Sequence, residues 1–261
     1  MTGDLKRVLF LVLSASVLSG CVYDRIPAFS VCEMRKASED LTYSDPESSA
    51  MLKYRLFRPD ATDSVPLVVF LHGGGQRGSD NVRQLNECDV GHVVSYALDY
   101  RKAAVLIPQC PSGVEWVDEN MVGVLTRLIS AVMSDNSLCV NPDRVYIAGF
   151  SMGGYGTWKL LLEKPEMFAA AVPVCGGPLS TRPRDIPVVP DATKSVSVWA
   201  FNNYDDDVVQ NVYSKNVMSA LWSGETSDSR YTELREGHSD EYVFSDFAVM
   251  RWLFSKRRLT R

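Results

Sequence analysis

The chain lacks the residue patterns that point to a metal or to a nucleic acid. None of its 6 cysteines forms a Cys-x-x-Cys pair, and its 3 histidines lie far apart, so no spacing resembles a metal site. It also lacks an excess of basic residues, because 27 lysines and arginines stand against 32 acidic residues. Phosphate binding needs a basic face, so this charge balance argues against a nucleic-acid partner.

The apolar run near the N-terminus is too short to span a bilayer. It covers residues 8–17, whereas a membrane-spanning helix needs about 20 apolar residues. Lys6 and Arg7 precede the run, and a Leu-Ser-Gly-Cys quartet ends at Cys21. A positive start, a short apolar stretch and small residues before a cleavage point are typical of a signal peptide. We therefore predict a signal peptide over residues 1–20.

The remaining composition is that of an ordinary globular protein. Hydrophobic residues make up 46% of the 261 residues and charged residues 23%. This length suffices for one large domain with a substantial core. Residues 21–50 are polar and weakly patterned, so we predict an N-terminal spacer there and a single domain over residues 51–261.

Within that domain, short apolar runs alternate with segments of helical periodicity. Leu67–Leu71 is continuously apolar, which is typical of a strand buried on both faces of a parallel sheet. Strands are predicted at residues 52–57, 67–71, 103–107, 145–148, 169–174, 196–201 and 231–234. Helices are predicted at residues 92–100, 121–133, 208–221 and 242–255, with another ending at residue 162. The alternation predicts an α/β fold with a mostly parallel sheet and helices on both faces.

The clearest chemical motif is a Gly-x-Ser-x-Gly pentapeptide at residues 149–153, between a predicted strand and a predicted helix. In this context the pattern is typical of a nucleophile elbow, a tight turn that lifts a serine hydroxyl to the top of the sheet. Side chains at the two glycine positions would collide with neighbouring backbone. Backbone N–H groups at the start of the helix favour developing negative charge. Ser151 is the predicted nucleophile.

A serine hydroxyl needs a base, and in proteins with this elbow the acid and then the histidine follow the serine in the chain. His238 is the only histidine after Ser151, and it comes directly after the last predicted strand. The acid is expected after the preceding strand, where Asp205, Asp206 and Asp207 are consecutive. Position along the chain alone leaves these three aspartates open, since one suffices to orient the histidine.

A His-Gly-Gly-Gly sequence at residues 72–75 follows the predicted strand 67–71. Glycines at such a position let the backbone approach a substrate and turn its N–H groups inward. We expect the N–H groups of Gly74 and Met152 to form an oxyanion hole, with Gly75 as a further candidate. His72 is interpreted as a structural residue that braces this loop.

Several segments resemble a known family, and NPDRVYIAGFSMGGYGTW at residues 141–158 is the most specific of them. The others lie at residues 66–81, 108–111, 168–177 and 237–239. Together they resemble bacterial α/β-hydrolase esterases related to polyhydroxybutyrate depolymerases, feruloyl esterases and acetyl xylan esterases, which are often labelled prolyl-oligopeptidase-like peptidases. The resemblance covers nearly the whole chain after about residue 52. It implies the α/β-hydrolase fold and a Ser-His-Asp esterase without a metal or organic cofactor.

The resemblance also selects among the aspartates. Members of the family usually have His-Gly four and three residues before the acid, and the matching residues here are Asn202 and Asn203. This register favours Asp206 as the triad acid, with Asp205 as the alternative. The quartet ending at Cys21 resembles a bacterial lipobox, which implies a lipid on this cysteine and a protein anchored to a membrane of the cell envelope, outside the cytoplasm.

Three functional hypotheses remain open at this point. The first is a carboxylesterase that acts on a small-molecule or polysaccharide-linked ester, with Trp116 and Tyr155 either lining the pocket or packing in the core. The second is a serine peptidase of the prolyl-oligopeptidase-like type. The third is a non-catalytic lipoprotein that binds a glycan or a partner, as the Asn-Asn departure allows. The loop at residues 176–190 is predicted to roof the site.

Overall fold

The computed structural model describes residues 11–12, 25–61, 63–86, 89–178, 193–222 and 228–258. Cys21 lies outside the described residues, and so does most of the predicted roofing loop, from residue 179 to residue 190.

The described residues form a nine-stranded, mostly parallel sheet in the order β1-β9-β8-β7-β6-β4-β5-β3-β2. The strands are β1 Leu11–Val12, β2 Ser38–Ser44, β3 Met51–Phe57, β4 Val65–Leu71, β5 Ala104–Gln109, β6 Val140–Phe150, β7 Ala170–Val174, β8 Ser197–Asn203 and β9 Arg230–Leu234. Only β3 runs antiparallel to its neighbours, β2 and β5. All other neighbouring strands are parallel.

Helices cover both faces of this sheet. They are α1 Val31–Ala37, α2 Val90–Ser95, α3 Glu119–Met133, α4 Met152–Glu163, α5 Val212–Trp222 and α6 Phe247–Ser255. Every residue of β4, β5 and β7 is buried. Val69 and Leu71 point into the core shared with α3, α4 and α5, whereas Val68 and Phe70 point into the core shared with α2 and α6. The predicted α/β architecture is therefore confirmed, and its continuous apolar runs reflect burial on both faces.

The predicted spacer is wrong over residues 25–50, which fold onto the domain. β2 pairs with β3 along its whole length, from Ser38 opposite Phe57 to Ser44 opposite Met51. Further upstream, Arg25 forms an isolated β-bridge with Asp246. The neighbouring Ile26 is buried, and its backbone N–H donates to the carbonyl of Ser245 at 3.0 Å. The segment looks weakly patterned because β2 is an edge strand whose residues are exposed or only half-buried.

Backbone contact between α4 and β4 is unusually close. A Cβ added to Gly153 would lie 1.8 Å from the carbonyl oxygen of Leu71, and one added to Gly149 would lie 2.5 Å from the carbonyl oxygen of Gly153. No real Cβ atom approaches backbone this closely, so the helix can cross the strand end only because both positions lack side chains.

Gly153→Ala is expected to lower the free energy of unfolding by about 3 kcal/mol or to prevent folding, because the clash is with backbone that cannot move aside. The matched control is Gly123→Ala in α3, where the new Cβ would meet only the flexible end of Arg127 at 3.3 Å. This control is expected to raise stability by about 0.5 kcal/mol. Urea denaturation followed by circular dichroism measures both changes, and equal midpoints for the two variants would contradict the packing argument.

Candidate active site

Ser151 sits at the turn between β6 and α4 in a strained backbone conformation. Its φ is 53° and its ψ is −115°, a region that residues other than glycine rarely adopt. The turn is held because the Ser151 N–H donates to the carbonyl of Val174 at 3.0 Å and the Tyr155 N–H donates to the carbonyl of Ser151 at 3.0 Å. The elbow expected from the sequence is therefore present, and it projects the hydroxyl beyond the strand end.

His238 contacts that hydroxyl from the loop after β9. Its Nε2 lies 2.9 Å from Ser151 Oγ, and its Nδ1 lies 2.8 Å from Asp206 Oδ2. Nδ1–H donates to the carboxylate, which leaves Nε2 free to accept the serine proton. The Phe150 ring packs against the imidazole with 4.9 Å between ring centroids. The structure thus joins the three predicted residues in one chain of hydrogen bonds.

The carboxyl group of Asp206 is fixed at both oxygens. Oδ1 accepts the N–H groups of Val208 at 2.9 Å and Val209 at 2.8 Å, while Oδ2 faces His238. Its side chain is fully buried. Asp205 is exposed and instead accepts the N–H of Gly237 at 3.0 Å. The structure therefore places Asp206, and not Asp205, against the histidine.

Two buried asparagines tie the acid loop to its surroundings. Asn203 donates through Nδ2 to the carbonyl of Ser239 at 2.9 Å, directly after the histidine, and its own carbonyl accepts the Asp206 N–H at 3.3 Å. Asn202 donates through Nδ2 to the carbonyl of Val209 at 3.1 Å. These contacts were not predicted, although polar residues at the end of an otherwise apolar strand are a signal that could have found them.

Cys175 lies beside the same cluster. Potential ligand atoms of Cys175, Asp206 and His238 all fall within 4.8 Å of one another. The thiol is fully buried, and burial raises the pKa of Cys175 far above its usual value, so it keeps its proton. Asp206 and His238 are already hydrogen-bonded to each other. The expectation that the protein needs no metal stays a prediction.

The glycine loop lies on the other side of Ser151. Gly74 begins a 3-10 turn, Gly74–Gln76, directly after β4, and Met152 is the first residue of α4. Within the described part of the chain, the N–H groups of Gly74 and Met152 donate to no backbone acceptor outside their own helices. Gly75 is more exposed than Gly74. Unused donors at these positions fit the expected oxyanion hole.

His72 braces this loop from below, as the sequence suggests. Its Nε2 accepts the N–H of Cys110 at 2.9 Å, and its carbonyl accepts the indole N–H of Trp116 at 3.0 Å. Burial lowers the pKa of His72 to about 4, so the imidazole is neutral at pH 7 and can accept that bond. A base role for His72 is excluded by this engagement.

Trp116 does not line a pocket, which corrects that alternative of the sequence prediction. Its side chain is fully buried, and its ring packs edge-on against His72 with 5.1 Å between centroids. The bulk of the indole is used to support the glycine loop. Tyr155 is half-exposed, so it stays a candidate for the pocket wall, and burial raises the pKa of its hydroxyl to about 12.

Sequence comparisons relate the chain to hydrolases. The model of the prolyl oligopeptidase family matches residues 128–178, which include the serine turn. A poly(3-hydroxybutyrate) depolymerase of Ralstonia pickettii is 28% identical over 206 residues, which is 72% of this chain and 39% of the relative. The chain therefore spans about two fifths of the length of that curated relative.

Structure comparisons also relate the chain to hydrolases. A thermostable esterase is 32% identical, with a TM-score of 0.75. The superposition covers 86% of this chain and 64% of the esterase chain. The feruloyl esterase module from Clostridium thermocellum is 16% identical with a TM-score of 0.61, covering 87% of this chain and 91% of its own, and at this identity it shows the fold alone. The chain has the α/β-hydrolase fold and is related to the esterases that share it.

Proposed function

We propose that the protein is a serine hydrolase, and most specifically a carboxylesterase. The observation that carries this proposal is the unbroken chain from Ser151 Oγ through His238 to Asp206, with contacts of 2.9 and 2.8 Å. This arrangement suits nucleophilic catalysis, because the base reaches the nucleophile and a buried carboxylate stabilises the protonated base.

The reaction proceeds in two steps. His238 takes the proton from Ser151 as the serine oxygen attacks the ester carbonyl, and the N–H groups of Gly74 and Met152 hold the resulting oxyanion. Collapse of this intermediate expels the alcohol, which receives the proton from His238 and leaves an acyl group on the serine. Water, deprotonated by His238, then attacks the acyl-enzyme. As the acyl–oxygen bond to the serine breaks, His238 returns the proton to Ser151 Oγ and the acid is released. The substrate is a small-molecule or polysaccharide-linked ester.

The related proteins support an ester substrate. The depolymerase of Ralstonia pickettii is named for a polyester, and the solved structure with 32% identity is a thermostable esterase. A serine peptidase is the second candidate, since the matched family model is that of the prolyl oligopeptidases. Comparing p-nitrophenyl esters with peptide p-nitroanilides as substrates distinguishes the two candidates.

The hypothesis of a non-catalytic lipoprotein rested on the two asparagines that stand where the family usually has His-Gly. The Asn-Asn departure from the family pattern is accounted for by the bonds of Asn202 and Asn203 to the loops that carry the acid and the base. Labelling of Ser151 by a fluorophosphonate probe tests this hypothesis directly, because a disabled site does not label.

Ser151→Ala is expected to abolish hydrolysis of p-nitrophenyl acetate, since it removes the hydroxyl that lies 2.9 Å from His238 Nε2. Asp206→Asn is expected to lower kcat by about 10⁴-fold, because the amide favours the wrong histidine tautomer. The matched control is Asp205→Asn, which removes the charge of an exposed neighbouring carboxylate that accepts the Gly237 N–H at 3.0 Å and does not contact His238 in the described structure. Its rate should stay within about threefold of wild type, as for most surface changes. Steady-state kinetics that rank the two aspartates in the opposite order would refute the assignment.

Asn203→Ala is expected to lower kcat about tenfold while KM stays nearly unchanged, because losing the bond to Ser239 loosens His238 without touching the substrate. A misplaced base also alters the acid limb of the pH–kcat profile, which loss of stability alone does not. Asn211→Ala is the matched control, since its amide binds Glu233 at 2.7 Å, outside the triad. Identical pH profiles for wild type and Asn203→Ala would contradict the positioning role.

We also propose that the protein is exported and lipidated on Cys21 in a bacterial cell envelope. The support is the Leu-Ser-Gly-Cys quartet after a short apolar run. No helix among the described residues is both long and apolar enough to cross a bilayer. Removal of residues 1–20 would also remove β1, which pairs beside β9 in the structure.

Cys21→Ser is expected to abolish incorporation of an alkyne-tagged fatty acid and to move the protein from the membrane to the soluble fraction. Cys32→Ser is the matched control, because Cys32 is an exposed cysteine only 11 residues after Cys21, and its replacement should leave labelling intact. Labelling that persists in Cys21→Ser would show that the lipid is carried by another residue.

A further inference from the structure

Arg77 lies against both residues expected to hold the oxyanion. A Cβ added to Gly74 would lie 3.1 Å from its Nη2, so the absent side chain makes room for the guanidinium. Its Nε donates to Met152 Sδ at 3.1 Å. A fixed positive charge therefore borders the place where the ester carbonyl is attacked in the proposed reaction.

Among the described residues, no carboxylate lies within hydrogen-bond distance of this guanidinium. Glu115 is its paired acid, but Oε1 lies 3.7 Å from Nη2, which is beyond hydrogen-bond distance. The Arg77 side chain is 32% exposed and that of Glu115 is 54% exposed, so solvent reaches both. Within the described residues, Met152 Sδ is the only hydrogen-bond acceptor of the guanidinium. Its remaining N–H groups can serve a ligand, and a planar guanidinium suits a carboxylate held through two parallel bonds.

We propose that Arg77 forms a subsite for a carboxylate carried by the ester substrate, near the scissile carbonyl. The inference rests on the proposed esterase function and deepens it, since it names an anionic ester as the preferred substrate class. Glu115 acts as a loosely held counter-ion in the free enzyme, and the substrate carboxylate takes its place. The carboxylate can belong to the acyl part or to the alcohol part of the ester.

The acidic groups around Arg77 set the limits of this preference. Glu115 opposes an incoming anion, and its backbone N–H is held by the Asp118 carboxylate at 2.9 Å. Glu115 Oε1 lies 3.7 Å from the guanidinium, which itself reaches the space beside Gly74. Removing the Glu115 charge should therefore strengthen binding of an anionic ester.

The test compares esters that differ only in a terminal charge. Monoethyl adipate and ethyl hexanoate place a carboxylate or a methyl group at the end of the acyl chain. 4-Acetoxybutanoate and butyl acetate make the same comparison on the alcohol side. The ratio of kcat/KM for the anionic over the neutral ester is the readout, because a general loss of rate cancels in it. Product acid is followed by chromatography for wild type and each variant.

In at least one of the two pairs, wild type should hydrolyse the anionic ester with a higher kcat/KM than the neutral ester. Arg77→Gln should lower that ratio by at least about fivefold, as expected for loss of a charge-assisted bond, and Arg77→Lys should keep part of it. Glu115→Gln should raise the ratio. The matched control is Arg83→Gln, which removes a 62% exposed arginine of the same loop that pairs with Asp80 instead. Its ratio should equal that of wild type.

Two outcomes overturn the subsite and leave the esterase proposal intact. In the first, wild type hydrolyses the neutral esters but prefers neither anionic partner. In the second, Arg77→Gln lowers both members of a pair equally, which would make Arg77 only a brace for the oxyanion loop. The proposed function itself would be refuted if wild type hydrolysed none of the four esters and Ser151→Ala hydrolysed p-nitrophenyl acetate at the wild-type rate.

Discussion

The close approach of α4 to the end of β4 is the constraint on which the site depends. Because Gly149 and Gly153 carry no side chains, the helix begins directly above the strand and the connecting residue is forced into a strained turn. That turn places Ser151 Oγ beyond the sheet and points the first N–H groups of α4 towards it. The parallel strands then deliver the loops that carry Asp206 and His238 to the same edge. Strain of this kind persists only where the surrounding structure enforces it.

Local motifs made the serine and histidine predictable from the sequence, whereas the remaining site residues depend on contacts between distant segments. The Gly-x-Ser-x-Gly turn is a short-range property, and only one histidine follows it. Three consecutive aspartates could not be ranked by position, and the resemblance to a family was needed to select Asp206. Trp116 was left ambiguous because a sequence does not show whether an aromatic ring faces a pocket or the underside of a loop.

The same reasoning explains the error over residues 25–50. An edge strand such as β2 alternates weakly, since one side of it faces solvent, and its pairing with β3 is not encoded in its own composition. The buried amides of Asn202 and Asn203 were missed for a related reason. Their partners are backbone carbonyls of separate loops, so the sequence shows two polar residues without showing what they hold.

Pairing of Arg25 with Asp246 has a geometric consequence if Cys21 carries a lipid. Arg25 follows Cys21 by only four residues, and an extended chain covers at most about 3.6 Å per residue. The folded domain would then begin within about 14 Å of the headgroups, and this short tether would limit its freedom to tumble. An enzyme held this way meets substrates that gather at the lipid surface more readily than those deep in the surrounding fluid.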